Sequence, residues 1–468
     1  MLTFTTRRLV AQAAALSCLF ATSLSHAAED AALQDLRRQI DALRQDYEAR
    51  LQALEAKLTQ AEQARTSAAG QPQDAPQAQA PSAFRSSASS GGGNLANSFN
   101  PAISLVLNGT YAALSKSPDT WRITGFVPAG DEAGPESRGF SLGESEFNFS
   151  ANIDPWLYGS LTLAVAPDDG IEAEEAFIQS TALPGGFTLK AGRFFGGLGY
   201  LNEQHAHTWD FVDAPLVHQA FLGGQFKQDG VQARWLAPTD QYLELGAELG
   251  RGATFPGTDR DRNGMGAIAL SAHTGGDVGD SHNWRAGLSW LQTKAGQRTW
   301  DDEDASGQTV SNAFSGRSRL WIADGVWKWA PQGQSQQRSF KLQGEYFRRT
   351  EQGDATYDLA NLSLTDHYRS TQSGWYLQGI YQFAPAWRVG LRHDRLDIGS
   401  VTWASNQDKL LGTDHQPSRS SVMLDWSPSE FQRWRIQFSD DRARQGIRDG
   451  QFFLQYIVNL GAHGAHSY

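Results

Sequence analysis

The segment Phe194–Lys227, FFGGLGYLNEQHAHTWDFVDAPLVHQAFLGGQFK, interrupts a chain that otherwise alternates between apolar and polar residues. It opens and closes with glycine pairs, Gly196-Gly197 and Gly223-Gly224, and carries acidic and histidine residues between them. A connection longer than about 12–15 residues within a repetitive β pattern is usually either functional or disordered. The aromatic and aliphatic residues of this segment argue against disorder. We therefore predict that it folds into the lumen of a membrane β-barrel and controls passage through it.

After residue 100, on both sides of this segment, apolar and polar residues alternate with a period of two, which predicts β-strands. Leucine and alanine alternate with Glu244 and Glu248 in one of them, for example. Each run has roughly the nine to eleven residues that a tilted strand needs to cross a bilayer. We count about sixteen runs, near 103–113, 140–153, 156–166, 171–182, 186–194, 228–237, 241–251, 264–274, 282–292, 318–329, 338–349, 373–383, 386–396, 418–427, 431–441 and 450–461.

The connections between these runs alternate between short and long. Short links carry turn residues, such as Asp154-Pro155 and Ala384-Pro385. The intervening links are mostly long and polar, including 114–139, 252–263, 293–317, 350–372 and 397–417. Short turns at one rim and long loops at the other are typical of outer-membrane barrels. The sequence therefore predicts an all-β fold, a 16-stranded antiparallel transmembrane β-barrel over residues 101–468, surrounded by the lipid of a Gram-negative outer membrane.

Three segments precede the predicted barrel. Residues 1–27 read as a signal peptide, with a basic start, an apolar core and a small-residue cleavage site. Residues 28–65 repeat apolar side chains at spacings of three and four, which predicts a periplasmic coiled-coil helix or, alternatively, a helix packed on the barrel mouth. Residues 66–100 are rich in Ala, Gln, Pro, Ser and Gly, and we expect a flexible linker.

The composition excludes several other classes of protein. The 468 residues carry a formal net charge of −11, which offers no basic face for nucleic acid. Outside the N-terminus there is no run of eighteen apolar residues, so a helical membrane protein is excluded. The one cysteine, Cys18, lies in the predicted leader. Neither an intramolecular disulfide nor a cysteine-built zinc site is therefore possible.

With its leader, short coil, strand pattern and long third connection, Phe195–Lys227, the chain resembles the outer-membrane porins. Within them it is most similar to the phosphate-selective porin O and P type. That resemblance implies homotrimers of water-filled channels with an infolded third loop. It also implies a lysine cluster at the constriction, but here the third connection holds only Lys227, so phosphate selectivity is not carried over. The stretch LNEQHAHTWDFVDAPLV is also similar to a porin-related group described as zinc-regulated.

Two sets of residues are candidates for the functional site. The predicted pore constriction consists of Arg193, Tyr200, Glu203, His205, His207, Asp210, Asp213 and His218. The predicted lumen charges are Glu244, Glu248, Arg388, Arg392, Arg433 and Arg435. The arginines fall on polar strand faces and should face the lumen, because an arginine facing lipid costs about 2–4 kcal/mol at the midplane.

A metal site is a second interpretation of the third connection, besides the pore constriction. Imidazole and carboxylate suit zinc, and His205, His207 and Asp210 would be the ligands. In the alternative reading these side chains only pin the loop to the wall by hydrogen bonds. A carboxylate-rich stretch nearby, at Glu172, Glu174 and Glu175, is either a cation-attracting ring or a solvated edge.

Three functions remain open on these grounds. The first is a channel for passive or weakly selective diffusion of small hydrophilic solutes or ions. The second is a zinc-linked uptake protein, and the third is a hydrolase built on a barrel. The chain contains no GxSxG motif, and no Ser-His-Asp set can be assembled by spacing, so we expect a channel rather than an enzyme.

Overall fold

The computed structural model describes residues 101–129, 133–165, 170–410 and 412–461, in which seventeen strands and one α-helix occur. The strands are β1 (Ala102–Leu114), β2 (Gly139–Leu142), β3 (Ser145–Asn152), β4 (Leu157–Val165), β5 (Ile171–Ser180), β6 (Phe187–Phe195), β7 (Lys227–Leu236), β8 (Tyr242–Gly250), β9 (Ala267–Val278), β10 (His282–Glu303), β11 (Thr309–Trp329), β12 (Ser339–Tyr357), β13 (Leu364–Ala384), β14 (Trp387–Thr402), β15 (Ser418–Ser429), β16 (Gln432–Arg442) and β17 (Asp449–Gly461). The α-helix, α1, spans Leu216–Leu222, and short 3-10 turns lie at Pro118–Thr120, Pro184–Gly186, Ala206–Thr208, Pro331–Gly333 and Ala404–Lys409.

The sheet closes on itself into a barrel. From β3 to β17 each strand pairs antiparallel with its neighbour in sequence, and β17 pairs with β1. On its other side β1 pairs with both β2 and β3, which form one strand interrupted at Gly143 and Glu144. The barrel therefore has sixteen strand positions, and the predicted 16-stranded antiparallel fold is confirmed.

Each strand separates an apolar outer face from a polar inner one. On β16, Trp434, Ile436 and Phe438 are exposed on the outside, whereas Arg435 and Gln437 are buried inside. Exposed outward leucine, tryptophan and phenylalanine recur on the other strands. In water such a continuous apolar surface would be costly, but in a bilayer it is the face that contacts lipid.

Strands β10 to β14 are longer than the sequence pattern predicts. They have 16 to 22 residues, so the predicted loops 293–317 and 350–372 are largely strand, and β14 extends to Thr402 in the predicted loop 397–417. The prediction was wrong because these extensions carry polar residues outside, such as Gln352 and Asp354. Their inner side packs an aromatic cluster that includes Phe314, Tyr368 and Trp403. One side of the barrel wall is consequently taller than the other.

Several predictions lie outside the described residues. These are the signal peptide (1–27), the coiled-coil helix (28–65) and the linker (66–100), which remain predictions. Within the described part of the chain, none of the helices is long and apolar enough to cross a membrane.

Candidate functional site

The connection between β6 and β7, residues 196–226, is here called the third loop, and it lies inside the barrel. The backbone N–H of Tyr200 donates to Glu345 on β12 at 2.5 Å. Further on, His207 Nδ1 lies 2.5 Å from Glu146 on β3, and the N–H of Val212 donates to Gln437 on β16 at 2.8 Å. Since these strands are far apart around the wall, only a path through the lumen reaches all of them.

Asn202 closes the base of the third loop. Its side-chain amide donates to the carbonyls of Gly196 and Phe226, at 2.7 and 3.0 Å, and its oxygen accepts from the N–H of Phe226 at 2.7 Å. The two ends of the loop are thus tied to each other beside the strands that they leave. Asn202 was not among the predicted site residues, because nothing in the local sequence pattern distinguishes it from an ordinary loop asparagine.

Helix α1 fills the lumen beside β12 to β14. All seven of its residues are buried, and it ends at Gly223, whose φ of 70° is the left-handed conformation that glycine adopts readily. Phe221 stacks on Phe347 of β12, with ring centroids 6.0 Å apart. At the N-terminus of α1, the backbone N–H of Leu216 donates to Asp394 on β14 at 2.9 Å. Apolar packing and one buried carboxylate therefore hold the second half of the loop.

A second infolded segment, residues 115–129, covers α1 and was not predicted. Phe126 packs edge-on against Phe221 at a centroid distance of 5.5 Å. Its neighbour Gly125 accepts a hydrogen bond from Gln372 on β13 at 2.7 Å, and Arg122 lies 3.1 Å from Asp302 at the end of β10. The available sequence signal was four large apolar residues among polar ones, Trp121, Ile123, Phe126 and Val127, which an exposed polar loop would not need.

Arginines and aspartates, most of them buried, join the third loop to β14, β15 and β16. Arg392 donates to Asp213 at 2.8 Å, and Arg388 donates to Asp210 at 3.1 Å. The predicted lumen arginines all face inwards, but Arg392 and Arg435 are only about 1% exposed. Although burial by itself raises the pKa of Asp210, the charges of Lys341 and Arg388 hold it well below its usual range. The buried side chains of Arg392 and Arg435, which donate to Asp213 and to the carbonyl of Trp209, therefore hold the loop against the wall.

On another part of the wall, the loop meets a cluster of glutamates on β3 and β5. A bulge where β4 pairs with β5 adds an extra residue at Glu174, so both Glu174 and Glu175 reach the interior. His205 lies among them, 2.9 Å from Glu174 and 3.2 Å from Glu175. Burial lowers the pKa of His205, but hydrogen bonds with Glu146, Glu174 and Glu175 outweigh this and raise it well above its usual range.

Half-buried basic side chains surround the short-turn half of the lumen, which we call the basic vestibule. They are Lys190, Arg234, Arg285, Lys328, Lys341, Arg388 and Arg433. Carboxylates lie between these basic side chains. Glu203 pairs with Arg234, and Glu244 lies 3.9 Å from Arg234. Arg234 and Glu203 retain about a quarter of their exposure, 25% and 27%, so water reaches this side of the loop. Glu248, by contrast, is buried and accepts a hydrogen bond from the N–H of Gly197 at 2.7 Å.

The structure corrects three of the residue predictions. Arg193 does not face the lumen, because its strand places it on the outer side with Leu189 and Ala191, where it pairs with Asp229 at 2.7 Å. Asp210 is drawn to Lys341 and Arg388, across the barrel from His205, so it does not join a metal set with that residue. His218 is fully buried and lies 2.6 Å from Glu345, so its side chain has no exposed surface in the lumen.

Comparisons with known proteins give one relative and several distant folds, and no family model matches the chain. A protein of Aquifex aeolicus (strain VF5), described only as an uncharacterized protein, is 30% identical over 406 residues, which are 79% of this chain and 80% of that protein. Among solved structures, the fold is similar to the outer membrane channel DcaP of Acinetobacter baumannii (TM-score 0.49, 9% identity, 77% of this chain and 97% of that one). It is also similar to an anion-selective porin from Comamonas acidovorans (TM-score 0.45, 10% identity, 77% of this chain and 99% of that one). By sequence, the chain belongs to the same family as the Aquifex aeolicus protein.

Proposed function

We propose that this protein is an outer-membrane channel for the passive, weakly selective diffusion of small hydrophilic solutes or ions. The observation that supports it is the uneven burial around the third loop. Where the loop meets β14 to β16, the side chains of Arg392, Arg419 and Arg435 are buried in ion pairs. On the other side of the loop, Glu203 and Arg234 remain partly exposed. Solutes would pass between the third loop and the wall formed by β4 to β8, and the loop would be the constriction.

The charge of this route favours a weak preference for anions. Seven half-buried basic side chains surround the basic vestibule, and a lumen lined by one sign of charge raises the local concentration of the opposite ion. Their field is reduced by Glu203, Glu244 and Asp210, which pair with members of the set. Selectivity should therefore be modest rather than absolute.

We also propose the orientation and assembly of the barrel. The short-turn rim would face the periplasm, where the coiled-coil helix of residues 28–65 would lie, and three copies would form a homotrimer. The glutamates around His205 favour a second candidate function, metal-linked uptake, and a dependence of conductance on micromolar zinc would separate it from simple diffusion.

A matched pair of substitutions on one strand tests the proposed route. Lys190 faces the lumen from β6, and Arg193 lies three residues later on the outer face. In planar bilayers with a salt gradient, Lys190→Gln should move the reversal potential towards cation preference, and Arg193→Gln should leave it unchanged. Equal reversal potentials for the wild type and Lys190→Gln would contradict the proposed route.

Deleting part of the third loop tests whether it is the constriction. Removal of residues 200–216 should raise single-channel conductance, because the loop would no longer cross the lumen. Heat-modifiable migration in a denaturing gel would show that the barrel itself still folds. An unchanged conductance in a folded deletion variant would mean that the loop does not limit passage.

A further inference from the structure

His205 of the third loop meets two glutamates from two different strands. Its Nδ1 lies 3.1 Å from Oε2 of Glu146 on β3 and 2.9 Å from Oε2 of Glu174 on β5. A ring nitrogen of His205 and one carboxylate oxygen each from Glu146 and Glu174 all lie within 4.8 Å of one another. Both glutamates are almost completely buried. The strand bulge at Glu174 is what brings the third of these groups to the interior.

Each of these three residues also has a second polar partner that fixes its orientation. Glu175 lies 3.2 Å from Nε2 of His205, the nitrogen on the far side of the ring. His207 lies 2.5 Å from Oε1 of Glu146, which leaves Oε2 of that residue facing His205. Glu144 is within hydrogen-bonding reach of Glu174. Histidine held by a carboxylate through one nitrogen, with the other nitrogen facing a group of oxygens, is the usual surrounding of a metal ligand.

The environment differs from that of the buried aspartates next to the third loop at β14 to β16. Asp210, Asp213 and Asp425 are paired with lysine or arginine, which neutralises them permanently. Glu146 and Glu174 are paired with imidazole rings. An imidazole can exchange its proton for a metal ion, and burying several carboxylates together is costly unless a cation neutralises them.

We propose that Nδ1 of His205 and one oxygen each from Glu146 and Glu174 bind a divalent first-row transition-metal ion. Nitrogen with carboxylate oxygen is the donor set that suits ions such as Zn²⁺ or Co²⁺. Bonds of about 2.1 Å at tetrahedral angles place neighbouring ligand atoms about 3.4 Å apart. Nδ1 of His205 therefore needs to move away from the two glutamate oxygens by only about 0.3–0.5 Å, and a water molecule would complete the coordination.

The ion would join the third loop to the wall at His205, whose described ion-pair partners are all glutamates. It would link β3, β5 and the loop, and His205, whose side chain is 19% exposed, gives it access from the lumen. The proposed metal site requires only that the third loop places His205 next to Glu146 on β3 and Glu174 on β5. It holds whether or not the barrel conducts, so its failure and that of the proposed function can be told apart.

Metal titration of the purified full chain in detergent tests the proposal. After removal of any affinity tag and treatment with chelator, calorimetry with ZnCl2 should give one high-affinity ion per chain, and MgCl2 should give none. Co²⁺ should produce a visible absorption band. His205→Ala, and Glu146→Gln with Glu174→Gln, should abolish both signals, and His207→Ala should weaken binding about 10- to 100-fold.

Glu172→Gln is the matched control, because Glu172 is on the same strand, half exposed, and paired with Lys227 at 3.1 Å. It should bind Zn²⁺ as the wild type does. Heat-modifiable migration would confirm that each variant is folded, and His207→Ala remains informative if a ligand variant fails to fold. The absence of one-to-one binding by the wild type, or unchanged binding by folded His205→Ala, would show that the cluster is only an ion-paired contact.

Discussion

Glu345 is the residue whose loss should release the third loop most specifically. It is fully buried on β12, where it accepts hydrogen bonds from the N–H of Tyr200 at 2.5 Å and lies 2.6 Å from His218. It thus holds both the beginning of the loop and helix α1. In Glu345→Ala these two donors would remain buried without an acceptor, while the backbone hydrogen bonds of the wall would be unchanged.

The expected destabilisation follows from those two groups. A buried donor left unsatisfied costs about 1–3 kcal/mol, so two of them cost about 2–6 kcal/mol. Because each 1.4 kcal/mol is about a tenfold change, the ratio of released to docked loop should rise by roughly 30-fold to 10⁴-fold. The barrel should still form, because its strands are held by their own antiparallel pairing.

Hydrogen exchange measured by mass spectrometry on peptides covering 196–222 reports this ratio directly. Glu345→Ala should exchange much faster there, and its single-channel current should be noisier. Glu351→Ala is the control, since Glu351 lies on the same strand and pairs with Arg298 at 2.8 Å, away from the loop. Equal exchange of the third loop in the two variants would refute the assignment of Glu345.

Three further predictions concern other parts of the chain. Hydrogen bonds from Ser306 and Tyr357 hold the pKa of Asp304 below its usual range, so its stabilisation of the β10–β11 turn is present above about pH 4 and lost as pH falls further. The protection of that turn against hydrogen exchange, relative to the intrinsic exchange rate at the same pH, should fall below about pH 4, and Asp304→Asn should remove this loss of protection. Cysteine at Leu362 should be labelled from outside intact cells and cysteine at Pro385 should not; labelling of both would contradict the proposed orientation. A mature chain that starts near Ser82 should still conduct but form less heat-resistant oligomers, and loss of the barrel would show that residues 28–81 are needed for folding.

The barrel was predictable because two simple constraints act along its whole length. Apolar residues must face lipid and polar ones the interior, and this period of two identified Arg388, Arg392, Arg433 and Arg435 as inward-facing. The same alternation, applied residue by residue to β6, would have placed Arg193 outside with Leu189. The strand extensions of β10 to β14 were missed because the lipid constraint does not apply to them.

The contacts of the third loop could not be predicted from the sequence. A period of two puts Glu174 and Glu175 on opposite faces, and only the bulge, which depends on pairing with β4, brings both to the lumen. The pairing of Asp210 with Lys341 rather than with a histidine likewise depends on where the loop crosses the barrel. Glycine pairs and length indicated an infolded loop, but its path is set by partners far away in sequence.

The two halves of the third loop are held by different chemistry, and this determines which half can move. From Asp210 to Leu222 it is fixed by arginine pairs and apolar packing with almost no exposure to water. From Glu203 to His207 it is held by histidine–glutamate contacts and by two arginines, Arg234 at Glu203 and Arg433 at the carbonyl of His207. Glu203 and Arg234 remain partly exposed to water. Arginine keeps its charge at every physiological pH, whereas imidazole can change its proton or its metal. Any adjustment of the constriction should therefore occur at the β3–β5 wall, with the segment from Asp210 onward as its fixed support.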